Sequence, residues 1–287
     1  MWVRHTTDLL RLERGGPSYP PQLENIDGPP ERLWVRGRLE LISRPRRRLA
    51  LVGTRAPTPY GVGQAQRFGR ALGRAGVVVV SGLAQGIDQT AHASALEVGG
   101  DTLAVLGSGL NRPWPRVPLV DEIAQRGLLV SEFEPEQGPR PHHFPLRNRI
   151  ISGLVDGLLV IEAAGASGSL ITARWAADQG RDVFALPGRV DQPMAAGCHR
   201  ILREGAGLVE SPEELLRQVY GDGKPWAPQP PEVPQSELES LLQGETLGPD
   251  ELAQRLDQKV EQVLVELVRL ELDGKVVRAP GGLYRLG

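Results

Sequence analysis

The chain has 287 residues, 40% of them apolar and 24% charged, and a formal net charge of −2, the composition of a globular protein with length for one large or two modest domains. Its one cysteine, Cys198, excludes an internal disulfide and a cysteine-based metal site, and the near-neutral charge confines any nucleic-acid binding to a local patch. No apolar run approaches the thickness of a bilayer and the first fifteen residues lack the apolar core of a signal peptide, so a soluble, cytoplasmic protein with no membrane contact is expected.

Residues 1–48 read as an N-terminal extension packed on the main domain. Pro17, Pro20, Pro21, Pro29 and Pro30 forbid a long helix, and Arg32–Gly37 alternates weakly, as an edge strand would. From residue 49 to 220 the pattern is regular. Apolar runs at LALVG, VVVVSG, TLAVLGSG, GLLVSEF, GLLVIEAA and DVFALPG alternate with helix-like segments, which predicts a parallel α/β sheet with helices on both faces. The runs end in Gly53, Ser81-Gly82, Gly107-Ser108-Gly109 and Gly188, so these residues should share the rim at the carboxyl ends of the strands, where such sheets bind ligands.

Residues 221–235 are proline-dense and read as an exposed linker. Residues 236–287 carry helical patterns at Ser236–Gln243, Pro249–Leu256 and Val260–Leu272, then a hairpin with a glycine turn, which together predict a small winged-helix domain. Its third helix sets Glu261, Glu266 and Glu271 against Arg269 alone. An acidic recognition helix repels phosphate, so a protein-interaction or packing role is expected for it.

Three stretches carry candidate chemistry. At Gly53-Thr54-Arg55 a buried strand stops and a helix-forming segment follows. Free N–H groups at such a turn favour an anion, and Arg55 adds a fork of donors matched to phosphate, although a strand-to-helix turn also uses glycine for backbone geometry alone. In HHFPLRNRIIS, Arg147, Asn148 and Arg149 form a compact phosphate-gripping unit behind Phe144, with Phe144, His142 and His143 as stacking faces; the alternative is a surface charge run. In AGASGSLITA, Ser167, Gly168 and Ser169, with Thr172, either bind a second phosphate or simply cap a helix.

Several chemistries are closed. Lysine occurs only at Lys224, Lys259 and Lys275, which removes P-loop and Schiff-base chemistry from the main domain. The first loop is not G-x-G-x-x-G, Ser81-Gly82 stands where a ribose-binding acid belongs, and G-x-S-x-G is absent. Asp88 and His92 share a helix face without further ligands, which favours packing over metal. No metal, cofactor or catalytic residue is expected.

The segments YPPQLENIDGPPERLWVRG, LVGTRAPTPYG, VSGLAQGIDQTAHASAL, FPLRNRIISGL, SGSLITA and FALPG occur in the order found in the bacterial DNA-processing protein A (DprA, also called Smf) family, which this chain resembles over roughly residues 8–210. The resemblance implies an extended Rossmann-like domain, a homodimer, single-stranded DNA binding, and loading of the RecA recombinase in natural transformation. Within it, Gln85 stands where arginine is usual and His199 where asparagine is usual, which implies a weaker grip on DNA. Two rivals remain: an enzyme binding nucleotides or cleaving nucleoside monophosphates, which needs a carboxylate beside the phosphate loop, and a scaffold working through its acidic C-terminal domain.

Overall fold

The computed structural model describes residues 5–221, 236–242, 245–272 and 275–286. The chain divides into two compact units, Met1–Trp226 and Ala227–Gly287. Apart from Gly221, the linker expected at 221–235 lies outside the described residues.

The first unit runs β1 (His5–Glu13), β2 (Arg32–Arg38), α1 (Glu40–Ser43), β3 (Arg48–Val52), α2 (Pro59–Arg74), β4 (Val78–Ser81), α3 (Ile87–Glu97) and β5 (Thr102–Val105). It continues through α4 (Pro118–Arg126), β6 (Leu128–Ser131), α5 (His143–Gly153), β7 (Gly157–Val160) and α6 (Gly168–Asp178). It closes with β8 (Asp182–Ala185), α7 (Ala196–Arg203), β9 (Gly207–Leu208) and α8 (Pro212–Tyr220). The strands form one sheet in the order β1-β2-β6-β5-β4-β3-β7-β8-β9, parallel from β6 to β9.

Strands β3 to β7 are buried along their whole length, as they must be when helices cover both faces. Alternation decides which face each residue serves. Leu49 and Leu51 join Phe68 and Leu72 of α2 and Leu215 of α8 on one side. Ala50 and Val52 join Ile150 of α5, Leu170 of α6 and Cys198 of α7 on the other.

The N-terminal extension is part of this sheet. Strand β2 pairs antiparallel with β6, and β1 pairs antiparallel with β2. Arg32–Arg38 is therefore an internal strand, contrary to the sequence expectation, because the partly polar β1 takes the edge.

The strand order reverses at β3. Successive strands β4, β5 and β6 step away on one side, then the chain returns to lay β7 against the other side of β3. The segment leaving β3 passes to α2 on one face and that leaving β7 passes to α6 on the opposite face, which opens a crevice between their carboxyl ends.

The second unit packs α9 (Glu237–Leu241), α10 (Pro249–Leu256) and α11 (Val260–Leu272) with a hairpin of β10 (Val276–Ala279) and β11 (Leu283–Leu286). Leu238, Leu252, Val263, Leu267 and Tyr284 make its core. Helix α11 leaves Glu261, Val265, Val268 and Glu271 exposed.

Candidate nucleic-acid interface

The crevice at the switch point is about 700 Å³ in volume. Its first wall is the loop after β3. A side chain at Gly53 would meet Ile87 at 2.6 Å and the Glu162 carbonyl at 2.9 Å, so only glycine lets the loop pass between β7 and α3. The Thr54 N–H donates to the Glu162 carbonyl (2.7 Å), and the Thr54 carbonyl accepts from the Ile87 N–H (3.2 Å). At the far end Thr58 caps α2, its hydroxyl accepting from the Gly61 N–H at 3.2 Å. The Glu162 carboxylate in turn accepts from the Thr58 N–H (2.9 Å) and hydroxyl (2.5 Å).

One residue at the end of β7 thus anchors both ends of the loop that presents Arg55. Arg55 itself is exposed. Its guanidinium lies 5.8 Å from the centre of the Phe144 ring, and among the described residues it has no carboxylate partner.

Arg147 forms the floor. It is 5% exposed and donates to the carbonyls of Gly82 (2.8 Å) and Val105 and to the Asn148 side chain (3.2 Å). Burial pushes its guanidinium down to about 10, opposed by attraction to Asp88 and aided by repulsion from Arg55. It is still charged at neutral pH. Burial pushes the Asp88 carboxyl up, against the pull of Arg147 and of the Ala84 and Gly82 N–H groups that donate to it.

The second wall is the start of α6. Ser167 caps it, its hydroxyl 2.7 Å from that of Ser169. Gly168 and Thr172 also line the crevice. The first N–H groups of a helix have no partner within it and carry partial positive charge. Phe144, Pro145 and Ile171 supply apolar surface on the rim. Gly107 makes room for Phe144, since a side chain there would meet the ring at 2.8 Å.

Of the twelve residues expected at the site, Gly53, Thr54, Arg55, Phe144, Arg147, Asn148, Ser167, Gly168 and Ser169 line this crevice; Ser81, Gly82 and Arg149 do not. The three-residue gripping unit fails for a geometric reason. Residues 147–149 lie in α5, where neighbours diverge by about 100°. Arg149 turns away, is 6% exposed, and makes a bidentate pair with Glu132 (2.6 and 2.7 Å) while donating to the Gly28 carbonyl at 2.9 Å.

Ser81 is buried and donates to the Leu51 carbonyl at 2.6 Å. Gly82 serves Arg147 in place of a phosphate: an added Cβ would lie 2.6 Å from the guanidinium. His143 is no stacking face either. It is buried with its ring 3.9 Å from that of Phe133.

Asp88 and His92 are both buried, and His92 Nδ1 lies 2.6 Å from the Thr102 hydroxyl. Among the described residues no group of three or more His, Cys, Asp or Glu could hold a metal ion, and no helix is long and apolar enough to cross a membrane. Sequence reasoning missed Glu162 and the lining role of Asp88. The available signal for Glu162 was a lone acid ending an apolar strand run, which burial obliges to find donors.

A doubly wound sheet with an arginine, an aromatic ring and a helix start converging at its switch point defines an α/β protein built to bind anions. Residues 12–220 match the family model for DNA recombination-mediator protein A, and residues 223–282 match that for the DprA winged helix domain. The chain is 43% identical over 283 residues to Protein Smf of Escherichia coli (strain K12), covering 93% of this chain and 75% of that one. It is 41% identical over 203 residues to DNA processing protein DprA of Bacillus subtilis (strain 168), covering 70% and 68%. The X-ray structure of DprA from Streptococcus pneumoniae aligns with a TM-score of 0.70 at 40% identity, covering 74% of each chain. DNA processing protein A of Helicobacter pylori, whose structure was described for its single-stranded DNA binding mode, aligns with a TM-score of 0.68 at 29% identity, covering 78% of this chain and 100% of that one. The chain belongs to the DNA-processing protein A (DprA/Smf) family.

Proposed function

We propose that the crevice holds single-stranded DNA by its phosphates and that this cytoplasmic protein, as a homodimer, loads RecA recombinase onto strands taken up in natural transformation. The observation that carries the reading is the convergence of Arg55, Arg147, Phe144 and the start of α6 on one cavity of about 700 Å³. Cations and helix N–H groups suit phosphate, and an aromatic face suits any base, so strands are held with little sequence readout. The binding mode described for the H. pylori relative supports it. RecA and the dimer come from the family resemblance.

The protein acts by binding and needs no cofactor. Among the described residues lining the crevice the one acid is Asp88, and its carboxylate is buried and engaged by the Gly82 and Ala84 N–H groups. That weighs against cleavage of nucleoside monophosphates, which needs a placed general acid or base.

The test titrates a fluorescent single-stranded oligonucleotide, a duplex and a mononucleotide at two salt concentrations, with base release assayed on the last. Tight, salt-sensitive binding of the single strand without base release is expected; preferential duplex binding or base release would refute the reading. A second assay follows assembly of RecA on strands already coated with single-strand-binding protein. No acceleration by a preparation that binds DNA normally would remove the loading role.

A further inference from the structure

The loop Gly53–Thr58 borders a second cavity. Gly53, Thr54 and Arg55 line the switch-point crevice, whereas Thr58 lines a pocket of about 430 Å³ at the ends of β7 and β8. Its walls are largely apolar, from Ile161, Leu186, Pro187 and Ala195. Two features stand out against them. Tyr60, 47% exposed, offers a ring face, held by its hydroxyl donating to the Pro187 carbonyl at 3.1 Å. The Glu162 carboxylate, on a residue 3% exposed, is the charged group set deepest in the lining.

Each Glu162 oxygen accepts one hydrogen bond from Thr58, which leaves further lone pairs on both. The cation in the lining, Arg189, is already paired with Asp191 through two hydrogen bonds of 2.7 and 2.9 Å. The pocket is therefore a flat apolar slot with a donor-seeking carboxylate, beside a loop that presents an arginine to phosphate.

We infer that this pocket takes a guanine base, whose N1–H and N2–H groups donate to Glu162 while its ring lies against Tyr60. Guanine is the DNA base with two adjacent donors on its pairing edge. Adenine and cytosine set one amino group beside an acceptor that a carboxylate repels, and thymine flanks one N–H with two carbonyls. The inference rests on the crevice gripping a strand if the base belongs to that strand; a free guanine nucleotide has the same chemistry, and the experiment separates the two sources.

The full chain is titrated by fluorescence anisotropy with oligo-dT and with a series in which one dG is moved along it. One position should bind on the order of tenfold more tightly than the parent, the selectivity of a bidentate base contact. Replacing that dG with deoxyinosine, which lacks the N2 amine, should remove most of the gain, and 7-deazaguanine, altered on the other edge, should keep it. Tyr60→Ala should bring the dG-to-dT ratio to about one. In parallel, dGMP is titrated against dAMP and TMP; saturable, selective dGMP binding with a flat oligonucleotide series assigns the pocket to the free nucleotide. A flat series together with no dGMP selectivity overturns the inference. If oligo-dT itself fails to bind, the strand-binding function falls, and the dGMP titration alone decides the pocket.

Discussion

Replacing Arg55 with alanine is the most direct test of the crevice, because the structure separates its binding role from any folding role. The side chain is exposed, and its guanidinium meets the Phe144 ring only at 5.8 Å. Its loss should change stability by no more than about 1 kcal/mol. A charge-assisted hydrogen bond to phosphate is worth roughly 1.5–3 kcal/mol, so affinity for a single strand should fall about 10- to 150-fold. Removing one phosphate contact should also lower the slope of log affinity against log salt by about 0.7. The advantage of the unmodified protein should then shrink by about 2.6-fold between 50 and 200 mM salt. Anisotropy titrations across that range, with circular dichroism to confirm folding, measure both quantities. A folded variant with unchanged affinity and unchanged slope would refute the placement of phosphate beside Arg55.

Three further outcomes are expected. Arg149→Ala leaves Glu132 buried without its partner and should cost about 3–5 kcal/mol of stability by denaturant unfolding, with the salt slope of DNA binding unaltered; a lower slope in the folded variant would return Arg149 to the phosphate site. His92 is held down to about 3 by burial and by repulsion from Arg147, whereas the unfolded chain protonates it near 6.5. Its contribution to stability is then complete above pH 6.5 and is lost as pH falls, at up to about 1.4 kcal/mol per unit. His92→Gln should flatten the stability profile between pH 6.5 and 5, and an unchanged gradient would count against that pKa. Truncation after Gly221 should leave most single-strand affinity intact, since the second unit has its own core and an acidic α11; near-complete loss of binding by a folded remainder would assign the winged helix a direct part.

What the sequence made legible, and what it hid, divides along a physical line. The strands from β3 to β7 are readable because burial on both faces leaves them uninterrupted apolar runs, and the rim is readable because Gly53, Gly82 and Gly107 mark places where another group presses on the backbone. Glycine alone does not say which group. At Gly82 it is the Arg147 guanidinium, brought from 65 residues away, so a residue that looks like half of an anion loop is in fact the seat of an arginine. Strand β1 was hidden by its mixture of polar and apolar residues, which suits an edge and resembles a loop. Arg149 shows the deeper limit. Three consecutive polar residues look like one cluster along the chain, yet a helix fans them apart, and which one faces the ligand depends on partners elsewhere: Glu132 and Gly28 claim Arg149, while Asp88 and the carbonyls of Gly82 and Val105 hold Arg147 at the crevice. Glu162 is the converse case. A lone acid closing a buried strand had to find donors, and the nearest loop able to supply them is the one carrying Arg55. The carboxylate that orients the phosphate loop therefore also faces the neighbouring pocket, which is why strand grip and base selection are expected to meet at this one residue.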